Sequence, residues 1–136
     1  MSVERKKYAQ RGRCLVLVAG PYRSGTGDDP AKMAANLEAM HRTALAVFRA
    51  GHTPVSGEVL ALPLIAHAGS ERTGDAVFDE IFHPLARRLL GHCDAVLRVG
   101  GPSAGADEMV AAARAQGKHV FTSVEDLPPS GSSHSA

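Results

Sequence analysis

The sequence predicts a three-layer, Rossmann-like α/β fold: a parallel sheet of four to five strands in flavodoxin-like order, with helices on both faces. Three observations predict it. Leu15-Val16-Leu17-Val18-Ala19 is a short unbroken apolar run, as expected of a strand buried on both faces. Runs of this kind alternate with longer stretches of helical apolar spacing, giving the order β-α-β-α-β-α-β. The first and third strands run out into glycine-bearing loops, Gly20 to Asp28 and Gly100 to Gly105. Right-handed crossovers and a 2-1-3-4 strand order place the topological switch between these two strands, so the two loops lie side by side.

The 136 residues suffice for one domain with a proper core. Residues 1–12 are polar and basic and read as a flexible lead. The ordered domain is expected over 13–127. Its first strand starts at Cys14. Asp29-Pro30 marks a helix start, with an aspartate cap and a proline at the first helical position. Met33, Leu37, Met40, Ala44 and Val47 or Phe48 keep helical spacing to about Arg49, and Gly51 ends the helix. His52 to Val55 is the second strand, and its carboxyl end opens into Ser56-Gly57-Glu58. Val59 to Ala68 reads as a short helix interrupted around Pro63. After a polar loop, Val77, Phe78, Ile81, Leu85 and Leu89 predict a long helix over Asp75 to Leu90, kinked or split by Pro84 and closed by Gly91. Asp94 to Val99 is the third strand, Ala106 to Gln116 a small-residue helix, and Lys118 to Thr122 the fourth strand. Val124 to Leu127 adds one turn. Residues 128–136 are rich in Ser, Gly and Pro and read as a disordered tail.

Composition narrows the function. A net charge of +1 argues for neither nucleic acid nor an anionic membrane as partner. Aromatics make up 4% of the chain and Trp is absent, so no base-stacking surface for single strands is expected. No apolar run reaches bilayer length and no secretory signal is visible, so the expected location is the cytoplasm. Cys14 and Cys93 each begin a strand and read as buried reduced thiols. The first loop has neither Gly-Lys-Ser/Thr nor G-x-G-x-x-G, so no dinucleotide cofactor is indicated. The histidines are dispersed, and no metal site is expected.

In an open α/β sheet the ligand sits outside the carboxyl ends of the strands, where helix starts favour an anion. The candidate binding residues are therefore Gly20, Pro21, Tyr22, Arg23 and Ser24 in the first loop, with Ser103, Gly105 and Asp107 at the second. Arg23 and Ser24 read either as a phosphate grip or as a solvated loop pair. Ser103 and Gly105 read as the rest of the cradle or as ordinary caps, and one group can do both. Glu58 follows the second strand at its functional end. It reads as a ribose ligand, as a reacting carboxylate or as the start of a helix. Asp79, Glu80 and His83 share one helix, and Glu80 and His83 are spaced to share a face.

The run Ala19-Gly20-Pro21-Tyr22-Arg23-Ser24 resembles the first loop of the nucleoside 2-deoxyribosyltransferase-like superfamily. So does the later pattern of Asn36, Ala44 and Gly51-His52-Thr53-Pro54. Cys93-Asp94-Ala95-Val96 and Ser103-Ala104-Gly105-Ala106-Asp107, with Ala113 and Gly117, resemble its second loop and following helix. The resemblance covers Cys14 to Phe121 and is closest to the small DUF4406-type domains of that superfamily. It implies a nucleoside or nucleotide ligand and N-glycosidase or deoxyribosyltransferase chemistry, in which a carboxylate beside the anomeric carbon stabilises an oxocarbenium-like transition state or attacks it.

The chain departs from that pattern at the reacting residue. The glutamate expected after Ser103 and Gly105 is Met109 here, and Glu108 stands one residue early, about 100° around the helix. A second acidic position of the family holds Ala86. Glu108 is the first candidate for catalysis, provided that its helix starts one residue off register; Glu58 and Glu80 follow. The rival is a non-catalytic nucleotide-binding or sensing module that kept the pocket and lost the nucleophile. A purely structural partner protein is a third reading. The resemblance also implies self-association, and Phe78 and Phe82 give the Asp75 to Leu90 helix more apolar surface than one core face needs, so a two-fold homo-oligomer through that helix is expected.

Overall fold

A computed structural model describes residues 12–129. Almost all of the expected lead and most of the expected tail lie outside the described residues. Four parallel strands form the sheet: β1 (Leu15–Ala19), β2 (Thr53–Val55), β3 (Ala95–Arg98) and β4 (His119–Phe121), in the order β2-β1-β3-β4. Leu17 of β1 lies opposite Val55 of β2 on one side and Val96 of β3 on the other. The helices are α1 (Pro30–Arg49), α2 (Gly57–His67), α3 (Ala76–His92) and α4 (Ala104–Ala115), and a 3₁₀ turn spans Val124–Asp126.

Alternation along β1 divides the core into two halves. Val16 and Val18 point to one face and pack with Met40 and Val47 of α1, Leu97 and Phe121. Leu17 points to the other and packs with Leu90 of α3, Val96, and Met109 and Ala113 of α4. A third cluster joins Ala61 and Ile65 of α2 to Phe78 of α3. The sheet is thus covered on both faces, and α2 is seated on α3 rather than on the sheet.

Two helices run through prolines that the sequence reads as breaks. α2 begins at Gly57, where the Ser56 side chain caps the N–H of Val59, and continues past Pro63. Pro63 is exposed, while Ala61 and Ile65 on either side are buried against Phe78, and that packing outweighs one missing hydrogen bond. α3 likewise continues through Pro84 and past Gly91 to His92. The Lys118 ammonium donates to the Gly91 and Cys93 carbonyls there, placing a cation where the helix dipole favours one.

The packed chain also extends beyond residue 127. His52 is buried, its Nδ1 accepts the Cys14 N–H at 3.0 Å, and its Nε2 lies 2.7 Å from the Pro128 carbonyl. Nδ1 must accept and Nε2 must donate, which fixes one neutral tautomer. Pro128 is fully buried, so the domain closes one residue later than its composition indicates. Cys14 and Cys93 are buried thiols, and burial pushes the Cys93 thiol up to about 11. Among the described residues no helix is long and apolar enough to cross a membrane.

Candidate functional site

β1 ends at Ala19 between β2 and β3, and the chain leaves the sheet there into the first loop. The second loop meets it from β3. Gly100, at φ 79, comes so close that a Cβ on it would stand 2.7 Å from Pro21 Cδ. Under the two loops is a cavity of about 370 Å³, within the range of small-molecule sites. Its floor is the carboxyl end of β1 and Met109 of α4. Gly20, Tyr22, Arg23 and Ser24 form the first-loop wall, and Ser103 and Gly105 the second. Glu58 enters from α2, and Phe82 and His83 from α3. Pro21 faces a neighbouring recess that shares Ser24 and Ser103 with the cavity and continues to Gly101 and Ala104.

The aromatic wall is built from two elements. Tyr22 stacks on Phe82 with ring centroids 5.8 Å apart, and Phe82 on Phe78 at 4.7 Å. His83 meets the Phe82 ring edge-on at 5.2 Å, and its Cε1 would lie 3.5 Å from a Cβ on Gly105. Phe78 is buried and Phe82 partly so. The two rings that the sequence offered as a self-association surface are therefore spent on α2 and the cavity. Among the described residues the large apolar side chains left exposed are Val59, Leu60 and Leu64 of α2, with Leu45 and Phe48 of α1.

Arg23 is not a free phosphate grip. Its Nε and Nη2 donate to the two carboxylate oxygens of Asp28, each at 2.8 Å. That pairing raises Arg23 above its ordinary value and holds Asp28 below the usual carboxylate range. The guanidinium lies 5.4 Å from the Phe78 ring centre and against Gly74, where a Cβ would stand 2.6 Å from Nη2.

Glu58 is the cavity's other carboxyl. It stands in the first turn of α2, partly buried, and forms no ion pair with another described residue. Burial raises its carboxyl above the ordinary glutamate range; its own N–H favours the ionised form and offsets this only in part. Burial and the nearby Glu58 charge both raise the Tyr22 phenol.

The remaining acidic candidates are placed elsewhere. Ser103 caps α4 by accepting the Ala106 N–H at 3.1 Å, so the helix is not shifted and Glu108 does not turn inward. Glu108 is exposed and lies 3.6 Å from Arg87, while Met109 is 6% exposed and lines the cavity. Asp107 is exposed and pairs with Arg98 at 3.1 Å. Glu80 is exposed on the outer side of α3, although His83, three residues on, reaches the cavity. No group of three or more metal-ligating side chains occurs among the described residues.

No family model and no curated protein matches the sequence. The reading of the site therefore rests on its own chemistry. It offers an aromatic wall for a flat ring, hydroxyl and backbone groups at Ser24 and Ser103, one neutralised ion pair and one carboxyl that holds its proton more firmly than usual. Asp28, Phe82 and His83 are among the lining residues that the sequence reading did not assign to the binding site. An arginine and an aspartate at opposite ends of one glycine-rich loop is a signal from which the Arg23–Asp28 pair can be read.

Proposed function

We propose that the protein binds a nucleoside or nucleotide in this cavity and cleaves its N-glycosidic bond. The observation that carries the reading is the convergence, at the switch point of the sheet, of an aromatic wall and Glu58, a carboxyl that forms no ion pair with another described residue. The base lies along Tyr22 and Phe82, and the sugar lies toward Ser24 and Ser103.

Glu58 acts as the acid. Its carboxyl gives a proton to a ring nitrogen of the base as the bond to the anomeric carbon breaks, and the bonding electrons leave with the base. Water adds its oxygen to the sugar cation and returns a proton to the Glu58 carboxylate. A raised carboxyl suits this role because more of it is protonated near neutral pH. Binding is checked by a thermal-shift screen of nucleosides and nucleotides, since a ligand that binds only the folded state raises the melting temperature. Tyr22→Ala, which removes one face of the aromatic wall, is expected to weaken that shift.

One observation favours a second reading. Met109 lines the cavity where the resembled family carries its reacting glutamate, and a thioether neither attacks nor stabilises a sugar cation as a carboxylate does. On that reading the protein is a binding or sensing module. Ligand binding without base release, and with no effect of Glu58→Gln on any turnover, decides for it. For either reading we propose a two-fold homo-oligomer, with the exposed apolar face of α2 as the contact in place of α3.

A further inference from the structure

The charges of the cavity are arranged against a phosphate. Among the described residues Arg23 is its only guanidinium, and Asp28 already takes it in the bidentate geometry that a phosphate or carboxylate ligand would use. Both partners are held in place. Gly74 and the Phe78 ring confine the guanidinium. Asp28 has a left-handed backbone at φ 60, and Thr26 Oγ1 accepts its N–H at 3.0 Å while donating to the Arg23 carbonyl.

The other arginines near the two loops are committed outside the cavity. Arg98 gives Nε to Asp107 and its remaining nitrogens to the Val99 and Gly101 carbonyls, and Arg87 faces Glu108. Glu58 adds a second carboxyl, which forms no ion pair with another described residue. The start of α4 contributes about half an elementary charge, which does not balance a phosphate dianion.

We propose that the site selects an uncharged nucleoside over its 5′-phosphate, with Asp28 occupying the place on Arg23 that a phosphate would need. The inference rests on the nucleoside reading above and names the ligand class within it. Asp28 is a positioning residue: it acts through Arg23 by cancelling its charge. A phosphorylated ligand must either displace Asp28 or enter a cavity whose described lining offers no uncompensated arginine or lysine, and both oppose its binding.

Calorimetric titration of the full chain with common ribo- and deoxyribonucleosides and their 5′-monophosphates tests this. Wild type is expected to bind a nucleoside roughly tenfold or more tighter than the matching monophosphate. Asp28→Asn keeps a residue that tolerates the left-handed backbone and frees Arg23. It should move the affinity ratio toward the monophosphate by roughly tenfold to a hundredfold, the range for a charge-assisted contact. The gain should vanish in the Arg23→Gln/Asp28→Asn double variant. Wild type that binds the monophosphate as tightly as the nucleoside overturns the inference and leaves the nucleoside site standing; that comparison needs no variant to fold. An unchanged ratio in folded Asp28→Asn also overturns it. No nucleoside bound by wild type overturns the site reading and this inference together.

Discussion

At the scale of single residues, two polar groups withdrawn from water, one partly and one fully, make opposite demands. Glu58 has its proton affinity raised by burial, so its ionisation opposes folding. A carboxyl raised in the folded state favours stability below its unfolded range, and that contribution is lost as pH rises through the raised folded value. Glu58→Gln should therefore melt higher than wild type at neutral pH, with the gap closing as pH falls below the ordinary carboxylate range. Equal melting at neutral pH would show that Glu58 carries no such burden. His52 is the reverse case, a polar group whose two ring nitrogens are both satisfied inside the core. His52→Ala leaves the Cys14 N–H and the Pro128 carbonyl without partners and opens a hole. A loss of about 2–4 kcal/mol in urea unfolding is expected. The sequence shows His52 only as the start of a strand, because the partner that explains it, the Pro128 carbonyl, is backbone from 76 residues away.

At the scale of elements, the cap of α1 was legible, while the starts of α2 and α4 fall two residues earlier than the sequence indicates and the breaks were not legible. Asp29-Pro30 starts α1 as its residue types require, since capping is a local matter. Pro63 and Pro84 mislead because tertiary packing on α2 and α3 overrides a local penalty that sequence alone reports. The start of α3 is the most heavily bonded cap. The Asp75 carboxylate accepts the N–H groups of Phe78, Glu71 and Arg72 and the Ser70 hydroxyl, and these bonds hold it well below the usual carboxylate range. A depressed carboxyl adds stability that is present above its unfolded range and is lost as pH falls through the folded value. Asp75→Ala should melt lower than wild type at neutral pH, with the deficit shrinking in strong acid. A constant deficit at all pH values would assign the effect to shape alone. In α4 the difference between Glu108 and Met109 is one residue, and only the observed cap at Ser103 decides which of them faces the cavity.

At the scale of the whole molecule, the strand order and the site's position follow from pattern, because a buried central strand and two adjoining loops leave few topologies. What pattern does not carry is the pairing of side chains across elements. Phe78 and Phe82, turned inward, move the proposed contact surface from α3 to α2, and the Arg23–Asp28 pair, a contact within one loop, narrows the proposed ligand. The apolar side chains left outside on α2 predict that light scattering finds a dimer at micromolar concentration and that Leu64→Glu converts it to monomer. A monomeric wild type would remove that surface from the proposal. The chemistry itself is decided by chromatographic detection of free base from a panel of nucleosides, with wild type and Glu58→Gln compared and binding measured on the same samples. The proposed mechanism predicts base release by wild type and loss of about 10²-fold or more in Glu58→Gln with binding retained. Release undiminished by the substitution, or binding by wild type with no release, would contradict it.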